Sequence, residues 1–129
     1  MRRKALEARS RQILRWCEAS WPTPYPVKLT WKDELLDKDE KFKKDQPYHG
    51  ETYLHNGVLR IDLSRKKCST YSNMIDTMLH EYGHCRDWRH ARLERDGKRK
   101  IHGPEWGLFY AEIYDLWHDE GGWHESKDY

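Results

Sequence analysis

A chain of 129 residues has room for one domain and one modest core. With 36% hydrophobic against 36% charged residues, that core must draw its bulk from seven Trp and eight Tyr. The net charge is only +2, and no run approaches the ~20 apolar residues that a membrane-spanning helix needs, so a membrane protein of that kind is not expected. Cys17, Cys68 and Cys85 form no C-x-x-C pair and are odd in number, which points to free thiols in a reducing, cytoplasmic compartment. The basic N-terminus does not read as a secretory signal, because Ile13-Leu14 is followed at once by Arg15.

In chain order, residues 1–20 read as an N-terminal helix whose apolar face is Ala5, Ala8, Ile13, Leu14, Trp16 and Cys17. Pro22, Pro24 and Pro26 end it. A sheet region is expected over 27–64. Within it, Val27 to Trp31 alternates apolar and polar residues as a half-buried strand does, whereas 32–50 is dominated by Lys, Asp and Glu and reads as a solvated loop with a short helical turn. Asn56-Gly57 between Glu51–His55 and Val58–Ser64 is the strongest short hairpin signal. In the second strand Leu59, Ile61 and Leu63 share one face, and Val58, Arg60 and Asp62 the other. Val58–Ser64 is the expected edge strand.

Thr70 to Asn73 offers capping residues for a helix over 70–90, with an apolar stripe of Met74, Ile75, Met78, Leu79, Tyr82 and Cys85. Pro104 and Glu105 suit the first turn of a last helix over 104–118, striped by Trp106, Phe109, Ile113, Leu116 and Trp117. The order α-β-β-β-α-α suits one small α+β domain over 1–129, with a short, mostly antiparallel sheet packed on the 70–90 helix.

That helix carries His80-Glu81-Tyr82-Gly83-His84, which is H-E-x-x-H. Residues four apart on a helix share a face, so His80 and His84 can offer two ring nitrogens to one metal ion. Glu81 then stands beside the open position as general base toward a metal-bound water. Gly83 is a weak helix former, and such a glycine often allows the close approach of a neighbouring element.

A catalytic zinc site needs a third protein ligand. His90 would give a metzincin-like H-E-x-x-H-x-x-D-x-x-H, but Asp87 stands where that pattern has Gly, and a continuing helix turns His90 about 120° off the face. A carboxylate on the last helix (Glu105, Glu112 or Asp115) is another candidate. His102, held at the Gly103-Pro104 helix entrance, is the favoured one.

H-E-x-x-H on one helix, a basic loop, and His102-Gly103-Pro104-Glu105-Trp106 opening another helix together resemble the SprT-like family of zinc metalloproteases over roughly residues 58–117. The resemblance implies a small zincin-like catalytic domain without the zinc ribbon of some members. It makes His80, His84 and His102 the zinc ligands and Glu81 the general base. The implied activity is zinc metalloendopeptidase hydrolysis of a protein or peptide substrate by metal-activated water, on DNA-associated proteins in the manner of relatives. A monomer is expected.

Basic residues from Arg2 to Arg15 and from Arg86 to Lys100 are the segments through which DNA would be touched, although charge runs are usually solvated faces. Tyr110, Tyr114, His118 and Tyr53 are candidate oxyanion donors. Asp76, Asp87, Glu112 and Asp115 are candidates to orient the ligand imidazoles. Two rival readings remain: a metal-binding regulatory protein that has lost proteolysis, and a basic helical nucleic-acid binder in which the motif is accidental.

Overall fold

The computed structural model describes residues 3–36, 47–88, 92–93, 99–100 and 104–119. His90 and His102 lie outside them, as do most of the basic 86–100 stretch and residues 120–129.

Helix α1 (Arg3–Ser20) ends before the Pro22-x-Pro24-x-Pro26 run, as the sequence predicts. Its buried face is Leu6, Ser10, Ile13, Leu14 and Cys17; Ala5 and Ala8, expected there, are exposed. Leu6 and Ser10 take those places because Ser10 Oγ accepts the buried indole N–H of Trp31 at 2.9 Å, which ties α1 to strand β1 (Val27–Lys32).

Of the 32–50 segment, read as a loop with a helical turn, residues 37–46 lie outside the described residues, and those on either side depart from that reading. Strands β2 (Leu35–Leu36) and β3 (Pro47–Tyr48) form a small antiparallel pair, with Leu35 buried. Two-residue strands leave no periodicity to read. Strands β4 (Gly50–His55) and β5 (Val58–Ser64) make the predicted hairpin. Asn56 (φ 50°) and Gly57 (φ 74°) both take the left-handed conformation that a two-residue I′ turn requires.

The main sheet has the order β1-β5-β4, with β1–β5 parallel and β5–β4 antiparallel. Two expectations are corrected here. The sheet is mixed rather than mostly antiparallel, and Val58–Ser64 is the central strand, not an edge. A central strand is paired along both edges, by β1 and β4 here; Leu59, Ile61 and Leu63 of β5 are buried on one face, while on the other Asp62 and Ser64 are buried and Val58 and Arg60 only half-buried.

Helix α2 (Tyr71–Arg86) starts at Thr70, whose side chain accepts the Asn73 N–H at 3.2 Å. Every residue of the predicted stripe, from Met74 to Cys85, is buried. The helix stops at Arg86 rather than reaching 90, and Asp87 caps it in a right-handed conformation, so the left-handed bend that would return His90 is not made at that residue. Short strands β6 (Arg92–Leu93) and β7 (Arg99–Lys100) pair antiparallel. Helix α3 (Pro104–Asp119) packs on α2 through Ile113 and Trp117. One core, shared by α1, the main sheet, α2 and α3, joins these elements. No described helix is long and apolar enough to cross a membrane.

Candidate metal centre

Two helices and one strand build the site. The 3.6-residue turn of α2 stacks His80 on His84, and their Nε2 atoms approach to 3.2 Å. A zinc ion bonded to two imidazoles at 2.0–2.1 Å with tetrahedral angles needs its nitrogens about 3.3–3.4 Å apart. The pair therefore has the spacing of one edge of a zinc tetrahedron, and in metal-free protein the same spacing serves an N–H···N bond. Among the described residues His80, Glu81 and His84 are the one group of potential donors close enough to hold a metal ion together, within 4.8 Å of one another.

Glu81 lies inside the core, 6% exposed. Its Oε2 lies 3.9 Å from His80 Nε2, and its Oε1 accepts the Thr52 hydroxyl at 2.8 Å. Burial pushes the Glu81 carboxyl up to about 7, the Thr52 hydrogen bond pulls it down, and the Glu51 charge adds a further upward push. A carboxyl group poised near neutrality can take a proton and give it back.

Strand β4 reaches this helix because Gly50 has no side chain. A Cβ there would meet Thr77 Cγ2 at 2.8 Å and Glu81 Cγ at 3.2 Å. On the other side α3 lays Trp106 over His84, nearly parallel, with ring centroids 5.4 Å apart, and edge-on to His80 at 5.0 Å. Gly83 permits this: a Cβ there would lie 3.0 Å from Trp106 Nε1 and 3.4 Å from Tyr110 Cβ. The predicted close approach at that glycine is thus found. A cleft of about 320 Å³ opens onto His80 and Glu81, lined also by His49, Gly50, Asp76, Thr77 and Tyr110.

The chain matches no family model, no curated protein and no solved structure.

The structure sorts the remaining sequence candidates. Tyr110 lines the cleft, its ring 5.7 Å from that of His80, and its hydroxyl is raised by burial and then by the Asp76 and Tyr114 charges. Tyr114 and His118 continue along α3 from Tyr110, Tyr114 edge-on to Tyr110 and His118 tilted against Tyr114. Tyr53 is engaged elsewhere, donating to Asp62 Oδ2 at 3.0 Å.

Of the acids, Asp76 borders the cleft, Asp87 is buried at the α2 C-terminus, and Glu112 faces Arg86 at 3.8 Å. Asp115 is exposed, and Cys85 is buried outside the donor group. Arg86, counted with the basic loop, instead lies between the rings of Trp21 and Phe109 and donates to the Phe109 carbonyl at 3.1 Å.

Thr52, Gly50 and Trp106 are the site residues that sequence reasoning missed in these roles. For Thr52 and Gly50 the available signal was their shared parity on a strand, which becomes meaningful only once that strand is known to face α2.

Proposed function

We propose that the protein is a zinc-dependent endopeptidase with a small zincin-like architecture. The observation that carries this reading is the His80–His84 nitrogen pair at zinc spacing with the Glu81 carboxyl beside it and a cleft that opens onto His80 and Glu81. His80 and His84 would hold the ion, with His102 the expected third ligand. When bound, zinc lowers the pKa of a coordinated water toward ~7 and polarises a peptide carbonyl.

The rest falls to the chain's own residues. Glu81 takes the proton of the attacking water through Oε2, the oxygen that faces His80, and returns it to the leaving amine. Burial raises this carboxyl in the metal-free chain; a cation held by the two histidines would pull it back down, toward the ionised form that a base needs. Strand β4 packs against the carboxyl at Gly50 and Thr52 and leaves it open on the cleft side. Tyr110 stands at the cleft wall, its ring 5.7 Å from that of His80.

The substrate is an extended polypeptide that adds to the sheet at β4, which no described strand covers on its outer side. Backbone pairing there grips without demanding a sequence.

The test has two arms. Purified protein should carry one zinc per chain, lost in His80→Ala and in His102→Ala but kept in His90→Ala. Wild type should cleave an unfolded casein-type substrate and Glu81→Gln should not. Equal cleavage by the two proteins, or no stoichiometric metal, would leave the reading without support.

A further inference from the structure

Thr52 stands at the junction of two features of this site. Its side chain faces α2, and its hydroxyl donates to Glu81 Oε1 at 2.8 Å, with the Glu81 backbone carbonyl a more distant 3.3 Å away. A hydroxyl has one proton to give, and an ionised carboxylate is the stronger acceptor. The Glu81 carboxyl thus has two unlike oxygens. Oε1 is anchored to β4, and Oε2 faces the histidines, 3.9 Å from His80 Nε2.

The backbone of Thr52 points the other way. Paired residues in an antiparallel ladder alternate between those that exchange hydrogen bonds and those that do not. The Ser64 N–H donates to the His49 carbonyl at 2.9 Å. In the observed register this makes Glu51–Asp62, Tyr53–Arg60 and His55–Val58 the bonded pairs. The backbone N–H and C=O of Gly50, Thr52 and Leu54 therefore face outward, along the edge that no described strand occupies.

We propose that Thr52 is the positioning residue of the catalytic base: its hydroxyl holds Glu81 by Oε1 so that Oε2 takes the proton, while its backbone pairs with the substrate strand. This rests on the peptidase reading above and adds to it a link between the strand that grips the substrate and the carboxyl that acts on it. A peptide settling on the outer side of β4 bonds to the same residue that fixes the base. Gly50, two residues earlier on the same face, leaves the space in which Glu81 is held.

Thr52→Val keeps the shape and branching of the side chain and removes only its donor, whereas Thr52→Ser keeps the donor. The expected result is that Val lowers kcat on an unfolded substrate by about 10- to 100-fold with KM within about twofold, as misplacement of a reacting group does. Ser should stay within about threefold of wild type. Zinc affinity should be the same in all three, because Thr52 touches neither histidine.

A second measurement needs no activity. In chelator-treated protein, the shift of the urea midpoint caused by Thr52→Val should shrink by at least half in a Glu81→Met background, where the acceptor is gone. An undiminished shift overturns the inference, as does a kcat of Thr52→Val equal to wild type, or a Ser variant as slow as Val. If wild type itself cleaves nothing, the peptidase reading is what has failed, and the double-mutant comparison alone decides whether Thr52 holds Glu81.

Discussion

At the scale of the residue, Glu81 is an acid that folding has moved into a place where its charge is disfavoured. Its carboxyl goes from an ordinary 4.5 to about 7, chiefly through burial. The folded chain therefore holds this proton more tightly than the unfolded chain does, and linkage sets the sign. In metal-free protein the group favours the fold below about pH 4.5. That contribution is lost as pH climbs to about 7 and is flat beyond. One pKa unit is about 1.4 kcal/mol, so unfolding free energy should drop by roughly 2–3 kcal/mol across this window. Urea titrations of chelator-treated wild type and Glu81→Gln, at half-unit intervals from pH 4.5 to 8, measure the difference, since Gln removes this titration. Parallel pH curves for the two proteins would mean that the carboxyl is not desolvated as its burial implies. The H-E-x-x-H spacing made His80, Glu81 and His84 readable from the chain, because helical geometry links them locally. Thr52 lies 29 residues away from Glu81, and only tertiary pairing brings the two together.

At the scale of the element, the three strands of the main sheet are joined by side chains as well as by their ladder. Asp62 on β5, 1% exposed, accepts from Lys32 Nζ of β1 at 3.1 Å and from Tyr53 OH of β4 at 3.0 Å, both at Oδ2. A buried carboxylate deprived of a partner keeps its desolvation penalty, so Lys32→Met should destabilise by about 1–2 kcal/mol, softened because the lysine is half-exposed and water can enter. Tyr53→Phe should cost about 0.5–1.5 kcal/mol. Chemical denaturation at pH 7 reads both, and two changes within ~0.3 kcal/mol of zero would show that the ladder alone holds the strands. The elements themselves were legible wherever a local signal existed: prolines ended α1, Thr70 began α2, and Asn56-Gly57 turned the hairpin. Neighbour relations were not. Alternation in Val58–Ser64 describes one face of a strand and says nothing of what pairs with its sides, so its central place and the parallel β1 partner were missed. The burial of Asp62 went unread for the same reason, since its two partners lie on different strands.

At the scale of the whole molecule, the three cysteines report whether the core opens as one unit and whether zinc, bound as proposed, governs that opening. Cys17 belongs to α1, Cys68 to the link between β5 and α2, and Cys85 to α2, and all three are free and buried. Burial pushes each thiol above its ordinary range, most strongly Cys17 and Cys85, so the thiolate that attacks a disulfide reagent is scarce in the fold. Native protein at pH 7.5 should therefore show no thiol that reacts at the free-cysteine rate, whereas all three should react at once in urea. The slow native reaction then measures opening. A ligand present at 100 times its Kd reduces the open population about 100-fold if it binds only the fold. Zinc should slow Cys17 and Cys85 by the same factor, although Cys17 lies on a helix that contributes nothing to the His80–Glu81–His84 group. That equality follows from the shared core, because α1 cannot leave it without exposing the stripe that positions the histidines on α2. Mass spectrometry of labelled peptides resolves the three rates. Slowing confined to Cys85 would mean that metal binding steadies α2 alone, and that the core yields in parts.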